Sequence, residues 1–307
     1  MNVCIAGSGA LSGYYGGLIQ EAGRKLSFLV RDARVDSIRQ TGLTVKFPDR
    51  ELHYTPNLVA TGRDLPMQNF VLLGVKLYDL ETVCKNLLPC CNESTTLLTL
   101  QNGIDAYEIA KSILPESHIL AGSTFVVARR TNPTVITFTQ SDSTITFGSV
   151  VPQDLEASRR AEEFLSSVKI PSHFSNSILR DLWIKFIWFT AYAGVAGSYL
   201  VPLGEIGASR QYSKELFDAF DEGIAVGHAE NISLPANLKE TLVERIANGC
   251  AANPATTPSL LRDLVEGRKT EIEFLSGKIV RLGIKHTIPT PIHQKLYEQI
   301  KARENKS

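Results

Sequence analysis

Little in this sequence is in excess. Lysine plus arginine number 32 and aspartate plus glutamate number 32, so the formal net charge is zero. Nucleic-acid binding usually leaves a basic surplus, so no nucleic-acid partner is expected, although a local basic pocket for a phosphate remains compatible with the balance. Cysteine is sparse and unpatterned: Cys4, Cys84, Cys90, Cys91 and Cys250 contain no CxxC pair. That excludes the common zinc spacings and a disulfide framework, and it suits thiols kept reduced in a cytoplasmic setting. The six histidines show no HExxH or similar spacing, so no metal is expected. Met1 and Asn2 lead straight into a short apolar run that ends in glycines, so no signal peptide is expected. Internal repeats and low-complexity segments are missing as well. The one long uncharged stretch, residues 186–204, holds Thr190, Tyr192, Ser198, Tyr199 and Pro202 and occurs only once. It reads as a core helix rather than a membrane span, so no membrane partner is expected.

What is present has the proportions of a globular protein: 43% hydrophobic and 21% charged residues over 307 positions, a length that favours two domains. In the first half, short apolar runs at 3–6, 26–30, 43–47, 52–60, 69–75 and 95–100 predict strands. Helix-like stretches at 14–22, 77–88 and 104–114 lie between them. Strands alternating with helices imply βαβ units and a parallel sheet. Residues 118–127, 135–140 and 143–150 read as successive strands with polar turns, expected as antiparallel additions at the sheet edge. A helix over 154–168 has Asp154 as its candidate cap. Beyond about Ser177 the strand signals stop. Helices are predicted over 178–199, 213–231, 235–251 and 259–282, the last closing at Gly283, followed by a final helix to about Arg303. The expected fold class is α/β: a Rossmann-type doubly wound sheet over 1–172, then an all-α domain over 173–307.

The sharpest local motif is Gly7-Ser8-Gly9-Ala10-Leu11-Ser12-Gly13, which follows a strand and opens a helix. Gly7 permits the tight turn, and Gly9 lets a pyrophosphate approach the backbone at the helix N-terminus. The third position needs a small residue, and here it is Ser12. The expected cofactor contacts are Gly7, Ser8, Gly9, Ala10, Leu11 and Ser12. At the end of the second strand the order is Val30-Arg31-Asp32-Ala33-Arg34. A guanidinium at Arg31 suits the 2′-phosphate of NADP. If the strand runs one residue longer, Asp32 takes the place that suits NAD.

With these residues in hand, the sequence resembles the ketopantoate reductase family. The glycine-rich opening, Gly74-Val75-Lys76, Gln101-Asn102-Gly103, Leu182-Trp183-x-Lys185, Ser259-x-x-x-Asp263, Thr270-Glu271-Ile272-Glu273 and Thr290-Pro291 occur in the family's order across essentially the whole chain. The resemblance implies hydride transfer from NADPH to ketopantoate (2-dehydropantoate), yielding pantoate in pantothenate biosynthesis. Lys185 would act as general acid, and Glu271, on a predicted helix, would orient the lysine, the substrate hydroxyl and the cofactor. Ser259 would contact substrate, and Lys76 and Asn102 would contact cofactor or substrate. Lys185 is also the last charge before the apolar run, where desolvation lowers a lysine pKa toward a working range. One departure stands out. The family's substrate-binding asparagine, one turn after the lysine, is Phe189 here, and Ala193 to Ala196 and Pro202 to Glu205 replace further asparagines. The substrate is therefore expected to be a small 2-keto acid, bulkier or more apolar than ketopantoate if it is not ketopantoate itself. A non-catalytic NADP-binding sensor is the alternative of another class. The long apolar helix is a candidate subunit interface, so a homodimer is also an expectation.

Overall fold

A computed structural model of the chain describes residues 1–30, 35–139 and 142–305. The chain divides into two compact units, Met1–Gln101 with Asp105–Ile178, and Asn102–Ile104 with Leu179–Ser307. The division falls after Ile178 rather than at residue 172, because residues 172–174 form a strand of the first unit's sheet.

The first unit runs β1 (Val3–Ala6), α1 (Ala10–Glu21), β2 (Leu26–Leu29), α2 (Val35–Thr41), β3 (Leu43–Lys46), β4 (Glu51–Tyr54) and β5 (Asn57–Val59). It continues through β6 (Phe70–Leu73), α3 (Leu77–Leu87), β7 (Thr96–Thr99), α4 (Ala106–Ile113) and β8 (His118–Thr124). Its last elements are β9 (Val127–Asn132), β10 (Val135–Thr139), β11 (Ile145–Ser149), α5 (Leu155–Ser167) and β12 (Ser172–Phe174). Among the described residues, eight strands form one sheet in the order β12-β11-β8-β7-β6-β1-β2-β5. The stretch from β5 to β8 is parallel throughout and has the 3-2-1-4-5-6 order of a doubly wound fold. The central strands β1, β6 and β7 are buried at every position, as continuous apolar runs covered on both faces should be. The strand order reverses between β1 and β6, and the crevice beyond their carboxyl ends is where such sheets take ligands.

Three expectations about this unit change. Of the three strands expected as antiparallel edge additions, only β11 is one, pairing with β8. Strand β8 continues the parallel series, while β9 and β10 join a separate four-stranded sheet of order β4-β3-β10-β9. The single strand expected over 52–60 is split between the two sheets around Thr55-Pro56, where proline lacks the N–H to continue a ladder. Asp154 does stand at the helix start, but its carboxylate takes the His118 ring nitrogen Nδ1 at 2.7 Å instead of capping the backbone.

The small sheet packs on α1 because α1 presents glycines. A Cβ on Gly13 would overlap Ile136, and one on Gly17 would meet Leu52 at 3.0 Å and Tyr54 at 3.1 Å. The Tyr54 hydroxyl donates to the Gly13 carbonyl at 2.7 Å, and the Tyr14 and Phe138 rings stack 4.6 Å apart.

The second unit is helical: α6 (Ile178–Tyr199), α7 (Leu203–Ala208), α8 (Arg210–Ala229), α9 (Leu238–Ala252), α10 (Ser259–Val265), α11 (Ser276–His286) and α12 (Pro291–Glu304). Helix α6 is apolar nearly all round, as a helix enclosed by others should be, and it supplies Trp183, Phe186, Ile187, Ala191 and Val195 to the core. No helix among the described residues is long and apolar enough to cross a membrane. Gly194 and Gly197 admit Leu296 and Ile300 of α12 at close range, so this stretch of α6 is given over to helix packing. The helix expected over 259–282 is interrupted, with Gly267 in the left-handed region at φ 65° and a 3₁₀ turn at Ile272–Phe274. Gly283 does not end its helix. Helix α11 runs on to His286, with Thr287 left-handed as its cap, and Gly283 lets Ile288 and Thr290 fold back against it.

The packing of α1 against the end of β6 is testable. Ser12 is fully buried, and a Cβ on Gly74 would overlap its hydroxyl. Gly74→Ala should destabilise the protein by about 1–3 kcal/mol through overpacking. Adding Ser12→Gly should recover most of that loss, read as the thermal midpoint of the single and double variants. Additive losses would show that the two residues do not meet.

Candidate active site

In the first unit the β1–α1 turn has the form the glycine motif predicts. Gly7 sits at φ 109°, which only glycine adopts freely, and a Cβ there would lie 2.8 Å from Val75 Cγ1. Gly9 is the residue before α1, and neither a capping side chain nor an acidic residue in the first turn occupies the helix start. The positive end of the helix dipole is thus presented at the carboxyl edge of the sheet, a suitable place for a phosphate. Ser8 and Ser12 are buried, and Ser12 Oγ donates to the Gly74 carbonyl at 3.3 Å. The third fingerprint position therefore does what a small residue there should, holding α1 close to β6. Lys76, half-buried, is the residue before α3. Gln101 fixes that neighbourhood, its side-chain nitrogen donating to the carbonyls of Leu73 at 2.9 Å and Val75 at 3.1 Å. Arg31, Asp32 and Arg34 lie outside the described residues.

The second unit buries a lysine. Lys185 lies on α6 and is only 8% exposed. Burial, then the charge of Arg245, push its pKa down from 10.5 to about 7, against the opposing pull of Glu271. Burial dominates because an ammonium loses its hydration there. Glu271 is itself buried, and the expectation of a helical Glu271 is corrected: it is the residue that opens the 3₁₀ turn. Several fixed contacts hold that irregular segment. Arg268 donates to Asp263 Oδ1 at 2.7 and 3.0 Å, the Thr270 N–H donates to Glu304 at 2.7 Å, and the Ile272 N–H donates to Thr270 Oγ1 at 3.2 Å.

Lys185, Trp188 and Tyr192 follow each other at helical spacing along one face of α6. The Tyr192 hydroxyl donates to the Thr256 carbonyl at 2.9 Å, and the Leu203 N–H donates to the same oxygen at 2.9 Å. These bonds tie the loop before Ser259 to α6. Ser259 is half-buried at the first position of α10, where Pro258 rather than Ser259 holds the cap position. Asn102, half-buried, groups with this second unit, and Ile104 beside it packs on the helical core. Lys185 and Glu271 are thus within electrostatic reach of each other, while the glycine turn and Lys76 belong to the other unit.

Sequence reasoning missed Arg245. It extends from α9 with its guanidinium carbon 4.6 Å from the centre of the Trp188 ring. Nothing in the sequence around Arg245 distinguishes it from a surface arginine. The available signal was Trp188, an aromatic three residues after Lys185.

The Lys185 environment predicts a titration. The ¹³Cε resonance of Lys185 in labelled protein should move through a midpoint at about 7. Glu271→Gln should lower that midpoint, because Glu271 favours the charged amine. A midpoint near the ordinary 10.5 would refute the burial argument.

Comparison with known proteins shows the family. Residues 3–152 match the domain described as ketopantoate reductase PanE/ApbA, and residues 177–304 match its C-terminal domain. The chain is 25% identical over 304 residues to an uncharacterised oxidoreductase of Bacillus subtilis, covering 99% of both chains. It is 27% identical over 313 residues to the 2-dehydropantoate 2-reductase of Aquifex aeolicus, covering 99% of this chain and 97% of that one. A D-mandelate dehydrogenase solved with NADH and anilino(oxo)acetate shares the fold with a TM-score of 0.92 at 23% identity, over 100% of this chain and 99% of that one. With both domains matched in order over most of its length, the chain belongs to the ketopantoate reductase family of oxidoreductases.

Proposed function

We propose that this chain is an NADPH-dependent reductase of a 2-keto acid, with ketopantoate as the substrate the family points to first and pantoate as its product, a step of pantothenate synthesis. The observation that carries this reading is Lys185, a buried lysine whose pKa falls to about 7 with a carboxylate near it. A general acid works best when its pKa lies near the working pH. The uncapped, acid-free start of α1 and the left-handed Gly7 suit a dinucleotide, with Gly7 to Ser12 along its pyrophosphate and Arg31 toward a 2′-phosphate.

When bound, the cofactor supplies the hydride that adds to the keto carbon. Lys185, as ammonium, gives a proton to the oxygen as that oxygen gains charge, and the product is the 2-hydroxy acid. Glu271 keeps the ammonium form accessible and holds its direction. Lys185 is then neutral and regains a proton from solvent. Ser259 and Asn102 offer a hydroxyl and an amide to the substrate's polar end, and Lys76 a charge to cofactor or substrate.

A second reading differs only in the substrate. Trp188 and the half-buried Phe189 give the lysine face of α6 an aromatic surface. Such a surface favours a 2-keto acid with a bulky apolar or aromatic substituent over ketopantoate, because an aromatic ring cannot replace the hydrogen bonds of an asparagine.

The test is oxidation of NADPH, and in parallel NADH, with ketopantoate and a panel of 2-keto acids of increasing bulk. At least one acid should be turned over, and Lys185→Ala should lower its kcat by roughly 10²–10⁴, the usual contribution of a general acid. Turnover of a bulky acid alone would select the second reading. Full activity in Lys185→Ala would remove the lysine from the chemistry.

A further inference from the structure

Arg245 comes from α9 as an exposed residue, and its guanidinium carbon lies 4.6 Å from the centre of the Trp188 ring. Trp188 stands three residues after Lys185 on α6, so the ring, the guanidinium above it and the catalytic amine share one face of the helix. Two cations are therefore directed at one neighbourhood, and each disfavours the other there. Glu271 already offsets the charge on Lys185, and a second anion lying between the amine and the guanidinium would stabilise both.

The geometry of a 2-keto acid matches this pair. Its carboxylate is on the carbon next to the keto carbon, so an ammonium at the keto oxygen has the carboxylate close beside it. A guanidinium stacked on an aromatic ring uses its face for that contact. Its N–H donors lie along its edges, in a fork that fits a carboxylate. The stacking also fixes the side chain before the substrate arrives, which reduces the entropy lost on binding. The chain has Phe189 where its family places a substrate-binding amide, so α6 itself offers no replacement at that position.

We propose that Arg245, held over Trp188, binds the carboxylate of the substrate and so makes this chain selective for 2-keto acids over uncharged ketones. The inference rests on the 2-keto acid reductase reading above. It assigns a substrate contact to a residue pair, Arg245 and Trp188, that the glycine turn, the lysine and the glutamate do not include.

The experiment compares phenylglyoxylate with its methyl ester, which keeps the keto group and the ring but not the charge. Wild type, Arg245→Gln, Arg245→Lys and Trp188→Leu are assayed with NADPH for kcat and KM. Loss of a hydrogen-bonded charge contact should reduce the acid-over-ester preference in kcat/KM by roughly 10- to 100-fold in Arg245→Gln, chiefly through KM for the acid. Arg245→Lys should fall between, since it keeps the charge but not the fork, and Trp188→Leu should follow it. If acid and ester lose activity together, or the preference does not move, the anchor is refuted. If wild type reduces neither compound nor any other 2-keto acid, the reductase reading fails on its own. The anchor is then judged by equilibrium titration of phenylglyoxylate against tryptophan emission in the presence of NADP. A dissociation constant raised about tenfold or more in Arg245→Gln supports it, and equal constants overturn it.

Discussion

Burying an amine is the constraint around which the helical unit is organised. Lys185 enters the core at the point where α6 becomes uncharged, and burial with the charge of Arg245, even after the opposing pull of Glu271, brings its pKa from 10.5 to about 7. A displacement of that size corresponds to roughly 5 kcal/mol against the charged form. Left unopposed, such a lysine would stay neutral and could not act as an acid near pH 7. Glu271 opposes the effect, and the structure invests several contacts in putting it there. Gly267 breaks the helix, Asp263 grips Arg268, and Glu304 takes the Thr270 N–H, so that Glu271 stands on an irregular turn and not on a solvent-facing helix. The Ser259-x-x-x-Asp263 and Thr270-Glu271 segments are thus one device. The first positions the turn, and the second carries the charge.

The first unit answers a different constraint, the close approach of backbone to backbone. Gly7 provides a turn that L side chains resist, and Ser12 and Gly74 let α1 lie tight on the end of β6. Gly13 and Gly17 extend the same face of α1 toward a small second sheet. The glycine-rich opening of the chain therefore carries two tasks: its first half leaves the helix start accessible for phosphate, and its second half packs a sheet. The same close approach recurs on α6, where Gly194 and Gly197 admit α12.

Much of this was legible in the sequence, and the failures have physical causes. The βαβ alternation, the change to helices near Ser177 and the bounds of α6 follow from periodicity and length, which are local signals. Strand pairing is not local. Nothing in residues 127–139 shows that they leave the main sheet to pair with 43–46, and Pro56 was the one hint that 52–60 would split. Periodicity also read 259–282 as one helix, because a glycine inside an amphipathic pattern does not announce whether it bends the chain. Lys185 and Glu271 were singled out through the family's motifs, and the apolar run after Lys185 pointed to its burial, whereas the charge of Arg245 acting on it needed the fold. Arg245 had no signal of its own in sequence. It matters only because α9 brings it over Trp188.

The central claim is that the reducing form of this protein carries a protonated Lys185 whose proton is lost near neutrality. The most direct measurement is kcat/KM for 2-keto acid reduction as a function of pH, which reports ionisations of the free enzyme. The active form is the ammonium, present below the folded pKa. The account therefore predicts a rate that is level on the acid side of about 7 and falls tenfold per pH unit above it. A rate that stays level to pH 9, or that rises through neutrality, would contradict the account.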